Sequence, residues 1–211
     1  ERRPDGSVCY SWQGVEGGHH TRLFDLHNPL LRGYLSALVG RHGFTDIRTE
    51  DGASLPVPAP LPNLLLLNAH LLKHMMGHGV GLRQFCDMAR AYHALRGSYS
   101  SVELEAAYRR TGLLRWSAQL HTFLTEHLGL PRDVLPYAGT DARTSPRLLH
   151  IVLEGGNFGQ YGKTRAKASR AGWERKLHTF LSFWRHRDFS GAYARGEAFW
   201  TSIRLITGNL R

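Results

Sequence analysis

A mostly helical α+β fold is what this sequence predicts, with a small strand-containing segment over residues 1–58 and a helical bundle over residues 59–211. Three observations predict it. β-favouring residues cluster near the start, in Val8-Cys9-Tyr10-Ser11-Trp12 and again in His19-His20-Thr21-Arg22-Leu23-Phe24. Four prolines at alternate positions, Pro56, Pro58, Pro60 and Pro62, make a stiff divider. Beyond them apolar residues recur at helical spacing, and glycines stop each run. With 42% hydrophobic and 21% charged residues in 211, the chain can build a sizeable core.

Each element has its own signal. Gly14, Gly17 and Gly18 punctuate the two strand-like runs. Asn28-Pro29 supplies an N-cap and a first-turn proline, and the helix that follows carries Leu31, Leu35, Leu38 and Val39 on one face. Residues 40–62 read as a loop-like, extended connector. Helices are then expected over Leu64–Met76, which Gly77, Gly79 and Gly81 break, and over Leu82–Leu95, which Gly97 closes. The apolar side of the second is read as Leu82, Phe85, Cys86, Ala89, Tyr92 and Leu95. Ser100-x-x-Glu103 is a capping box for a short helix ending at Gly112. Leu113, Trp116, Leu120, Phe123, Leu124 and His127 stripe the next, up to Gly129. Ser145-Pro146 opens another that ends at Gly155-Gly156-Asn157. Two further helical patterns fill the remainder, divided near Asp188-Phe189-Ser190.

Composition narrows the function classes. No run approaches the roughly 20 apolar residues of a membrane span. The first six residues contain no apolar segment of a secretion signal, so a cytoplasmic location is expected. Cys9 and Cys86 belong to no CxxC pair, which excludes a zinc ribbon; both read as small buried hydrophobes. Lys and Arg number 27 against 17 Asp and Glu, a formal charge of +10 that favours anionic partners such as nucleotides, nucleic acid or phosphorylated sugars.

Histidine spacing is the first pattern with chemistry in it. His70, His74 and His78 stand at i, i+4 and i+8 along one side of a helix. That spacing suits zinc, which needs further ligands and has Asp87 as a candidate; it equally suits histidines hydrogen-bonded between helices. The next helix presents Arg83 and Asp87 at i, i+4, close enough to pair. The two can serve as an ion pair that fixes a helical hairpin, buried or half-buried, or as ligand-binding groups.

The whole hairpin, LLLLNAHLLKHMMGHGVGLRQFCDMARAYHAL over residues 64–95, resembles that of a family of uncharacterised bacterial nucleotidyltransferases. In that family a polymerase-beta-type catalytic domain precedes a helical domain. The His20-Thr21-Arg22-Leu23-Phe24-Asp25 segment and the turn from Leu153 to Gly159 are similar too, so the likeness runs from about Val15 onward. It implies metal-dependent transfer of a nucleotidyl group from a nucleoside triphosphate to an acceptor, with Mg²⁺ as cofactor. It also implies substrate-binding roles for His20, Arg22, Lys73, His74, Arg83 and Asp87.

The chain departs from that pattern where the chemistry is densest. Mg²⁺-dependent transfer needs two or three carboxylates. Gly6-Ser7 is present, but no acidic pair follows it; the next acids are Glu16 and Asp25. The family's third carboxylate stands two residues before the histidine matching His20, and that position is Gly18. Glu16 is the remaining catalytic and metal-binding candidate, displaced by two strand residues, about 6–7 Å. A bulge or register shift would have to recover that distance. Two expectations follow: the acidic pair precedes residue 1 in a longer protein, or the chain is a degenerate member that binds without catalysing. In either case the 211 residues alone are expected to be inactive.

A second binding surface is expected near the end. Between Lys163 and Arg187 eight basic residues face one acid, Glu174, with Trp173, Phe180, Phe183 and Trp184 interleaved. The aromatic stripe suits a core-facing side, which leaves Lys167, Arg170 and Arg175 outward as a polyanion-binding face for RNA or a phosphorylated acceptor. The same pattern also describes a solvated helix face. A non-catalytic RNA-, polyanion- or partner-binding module is therefore the alternative function.

Overall fold

A computed structural model of the protein describes residues 8–12, 15–19, 28–77, 80–138, 143–155 and 187–207. It is mostly helical, with two small antiparallel hairpins among the described residues. The elements are β1 (Val8–Trp12), β2 (Val15–His19), α1 (Pro29–His42), β3 (Phe44–Arg48), β4 (Ser54–Pro58), α2 (Pro60–Gly77), α3 (Leu82–Ala94), α4 (Ser101–Arg110), α5 (Leu114–Leu128) and α6 (Pro146–Gly155). A 3-10 turn over Arg132–Val134 separates α5 from α6, and α7 (Arg187–Tyr193) and α8 (Arg195–Thr207) follow.

Where local chemistry is strong, it decides the element ends. The Asn28 side chain accepts from Leu30 and Leu31 amides at 3.0 and 3.3 Å, and Pro29 occupies the first turn, where a missing N–H costs nothing. Leu31, Leu35, Leu38 and Val39 are the buried face of α1, as the spacing predicts. Ser100 caps α4 by accepting from the Glu103 amide at 3.2 Å. The Glu103 carboxylate turns instead to His42 at 3.1 Å and Arg41 at 3.6 Å, tying α4 to the end of α1. At Gly129 the chain takes φ +66°, a left-handed conformation open to glycine, and the Leu130 amide closes α5 on the Leu124 carbonyl at 3.0 Å.

The structure corrects the sequence reading at residues 44–62 and at Gly17 and Gly18, read as punctuation between strands. Residues 44–58 are a β-hairpin rather than an extended connector: Phe44 pairs with Pro58 and Ile47 with Leu55. A two-stranded hairpin has an outward edge on each strand, where a proline lacking its N–H is tolerated. Pro60 and Pro62 belong to the first turn of α2, where the amides have no helical partner anyway. Val15–His19 is a strand, so Gly17 and Gly18 lie inside it. Residues 20–24 lie outside the described residues.

One buried cluster runs from Leu31 on α1 through α2, α3, α4 and α5 to Leu148 on α6 and Phe189 on α7. Its largest fully buried side chains are Trp116, Tyr92, Tyr108, Phe85 and Phe123. Within the cluster α1 packs its leucines against α2. Among the described residues no helix is long and apolar enough to cross a membrane.

Candidate functional site

The α2–α3 hairpin brings most of the described candidates to one end. Lys73 and His74 sit in the last turns of α2, and Arg83 in the first turn of α3, on either side of the connecting turn. Lys73 and His74 are half-buried, and Arg83 and Asp87 are exposed. At the start of α3 the Gly81 amide donates to the Gln84 side chain at 3.0 Å. Gly81 has no side chain to cap the helix, and Val80 and Gly81 at its start are buried.

Arg83 and Asp87 do not form the expected pair. No ion pair joins them among those of the described residues. At about 100° per residue, Phe85, Met88 and Tyr92 make the buried face of α3, and Arg83 and Asp87 stand nearly opposite, in water. The i, i+4 spacing permitted a pair, but at the surface it gains too little to hold two side chains together. The same geometry exposes Cys86, which the sequence reading places in the core; Met88 takes that position instead.

His70 and His74 do meet. Their Nε2 atoms are 2.8 Å apart, with ring centroids at 4.3 Å and planes at 79°. One ring donates and the other accepts, so the accepting ring is neutral. His78 lies outside the described residues, as do His20, Arg22, Lys167, Arg170 and Arg175.

Glu16 lies on β2 opposite Ser11, and Gly18 opposite Cys9. Pairing runs from Val8–His19 to Trp12–Val15 without a break, so no bulge carries Glu16 into the place of Gly18. Among the described residues no three of His, Cys, Asp and Glu gather as a metal-ion group.

Sequence reasoning missed a polar cluster inside the bundle. The Tyr92 hydroxyl lies 3.1 Å from that of Tyr108 and 3.0 Å from His121 Nε2, and all three residues are fully buried. Tyr137 packs its ring 4.8 Å from His121 and bonds its hydroxyl to Ser117. Trp116 Nε1 donates to the Asn68 carbonyl at 3.3 Å. The Asn68 amide is buried beside Tyr92 and Tyr108, close enough to ease the upward shift of both hydroxyls but without well-formed hydrogen-bond geometry. Burial pushes His121 down to about 3 and Tyr137 up to about 12, and raises Tyr92 and Tyr108 well above the usual tyrosine range. Tyr92, Tyr108 and His121 are neutral at physiological pH and fully buried, which suits a core-specifying network. The available signal was a polar residue inside an apolar run, Asn68 after four leucines and His121 after Leu120.

A second missed interaction joins distant parts of the chain. Asn28, while capping α1, donates from Nδ2 to Glu197 Oε1 on α8 at 2.7 Å, with both residues 5% exposed. Burial raises the Glu197 pKa, and the Asn28 bond partly offsets that.

A family model for uncharacterised nucleotidyltransferases matches residues 3–129, more than half of the chain, and the chain belongs to that family. No curated protein and no solved structure matches it. Helices α6, α7 and α8 lie beyond the matched region, yet the buried Asn28–Glu197 bond ties α8 to α1 inside it.

Proposed function

We propose that this chain is the nucleotide- and acceptor-positioning part of a metal-dependent nucleotidyl transfer, with the triphosphate held at the α2–α3 turn. Family membership over residues 3–129 carries this reading. Lys73, His74 and Arg83 meet the phosphates there. Asp87, an acceptor one turn further along the Arg83 face, suits a sugar hydroxyl. His20 and Arg22 add contacts from the segment before α1. Carboxylates that hold Mg²⁺ come from outside the described residues, and this chain alone does not turn over. The location is cytoplasmic.

Calorimetry with nucleoside triphosphate and Mg²⁺ tests the site. Lys73→Gln and Arg83→Gln should each weaken binding about tenfold, the worth of one charge-assisted hydrogen bond. Unchanged affinity in both variants defeats the assignment. EDTA-sensitive label transfer by residues 1–211 alone would show that the chain supplies its own carboxylates, and loss of that transfer in Glu16→Ala would place Glu16 among them.

One observation favours a second reading, a non-catalytic binder of RNA or another polyanion: the eight basic residues from Lys163 to Arg187 against one acid. Replacing Lys167, Arg170 and Arg175 by Gln should flatten the log–log salt dependence of RNA binding by about one unit for each phosphate no longer neutralised. A slope equal to the parent's removes this reading.

A further inference from the structure

We propose that His70 and His74 form a two-imidazole site for a divalent transition-metal ion such as Zn²⁺, Cu²⁺ or Ni²⁺, apart from any magnesium that a nucleotide brings. Both residues lie on α2, four positions apart, so the helix backbone itself holds their side chains on one face. The rings have turned their Nε2 atoms toward one another, to 2.8 Å. A chelated ion needs that convergence, and the pair now uses it to share one proton. Two metal–nitrogen bonds of about 2.0–2.1 Å at a tetrahedral angle set the nitrogens about 3.3–3.4 Å apart. The pair reaches that span by opening about half an ångström, within ordinary side-chain motion on an intact helix.

Ligand chemistry selects the ion class. The converging atoms are imidazole nitrogens with no carboxylate in the pair, which suits zinc, copper and nickel and not the oxygen-seeking Mg²⁺ or Ca²⁺. The two imidazoles are the protein ligands assigned, and among the described residues no group of three His, Cys, Asp and Glu forms. His70 is exposed, which gives an ion and its waters access. Affinity falls below that of a four-ligand structural zinc site, and the neighbouring Lys73 charge lowers it further. Bound there, the ion would staple the last turns of α2 just before the hairpin turn.

The test uses the whole chain without nucleotide, so its failure leaves the nucleotide reading standing. Zn²⁺ is titrated calorimetrically at a pH of about 7.5, where imidazoles are neutral. His70→Ala and His74→Ala should each weaken the tightest event by more than the roughly 10–100-fold that losing an outer-shell partner costs. The double variant should lose it. Because the chain has 13 histidines, other weak events are expected, and only the tightest is diagnostic. A tightest event that survives in either single variant overturns the proposal, as does no saturable zinc binding by the parent. Cu²⁺ electron paramagnetic resonance of the unaltered chain needs no variant: coupling to two imidazole nitrogens supports the site, and coupling to one or none defeats it.

Discussion

Asn68 and His70 stand two residues apart on α2 and meet opposite surroundings. Asn68 is fully buried beside Tyr92 and Tyr108, whereas His70 is exposed and pairs with His74. The contrast extends to their neighbours. Behind α2, the Tyr92, Tyr108 and His121 side chains bond one another in a dry interior, and burial holds each in its neutral form. At the α2–α3 turn, Lys73, His74, Arg83 and Asp87 keep contact with water, and the expected Arg83–Asp87 pair does not form. A polar group in the core is costly unless partnered, so it must be specified in detail; one at the surface is cheap and remains available to a ligand.

Acid should strike the interior first. The unfolded chain protonates His121 below about 6.5 and the folded chain only near 3, so the unfolded state binds more protons between those values and stability falls as pH falls. The loss should reach about 3 kcal/mol by pH 4.5 from this residue. His121→Phe, which keeps a ring beside Tyr137, should flatten that part of a pH series of denaturant melts. An equally steep acid loss in the variant would mean His121 is not the buried neutral group described.

Removing the bridging hydroxyl comes next. Tyr92→Phe leaves the Tyr108 hydroxyl and His121 Nε2 without their shared partner, which should cost about 2 kcal/mol in a urea melt at neutral pH. A cost near zero would show that the interior network is as loosely held as the surface set.

The Asn28–Glu197 bond sharpens the comparison, since it is buried yet carries an ionisable group. Asn28→Ala removes both the α1 cap and the partner of Glu197 and should cost about 1–2 kcal/mol. Glu197→Gln keeps an acceptor for Asn28 and removes a buried charge. Because burial raises the Glu197 pKa, that residue's contribution is whole below the unfolded carboxyl range and is lost as pH rises through the folded value. The variant should therefore match the parent at low pH and be the more stable above neutrality; thermal melts at both pH values decide.

The smallest effect belongs to the surface. Asp87→Asn should change stability by less than about 0.5 kcal/mol, because the carboxylate is exposed and makes no ion pair with Arg83. A drop of several times that size would restore the buried-pair description of the hairpin.

Most of the helical framework was legible from local chemistry. Asn28-Pro29, Ser100 and Gly129 mark ends that need only neighbouring residues to form, and the leucine spacing of α1 names its buried face. The candidate site was less legible. Spacing placed Lys73, His74 and Arg83 around one turn, but whether Arg83 meets Asp87 depends on which face of α3 the core takes. Phe85, Met88 and Tyr92 claimed that face, and Cys86 was left outside.

What the amino-acid sequence determined by itself is the class of fold, the places where helices begin and end, the excess of positive charge, and the lack of an acidic pair after Gly6-Ser7. Those properties depend on residues near one another along the chain or on composition. Tertiary structure alone decided that residues 44–58 fold back as a hairpin, that Asn68, Tyr92, Tyr108 and His121 share one interior, and that Glu197 reaches Asn28 across 169 positions. Burial is a property of what packs on top of a residue, and a local pattern holds no record of a partner that arrives from so far along the chain.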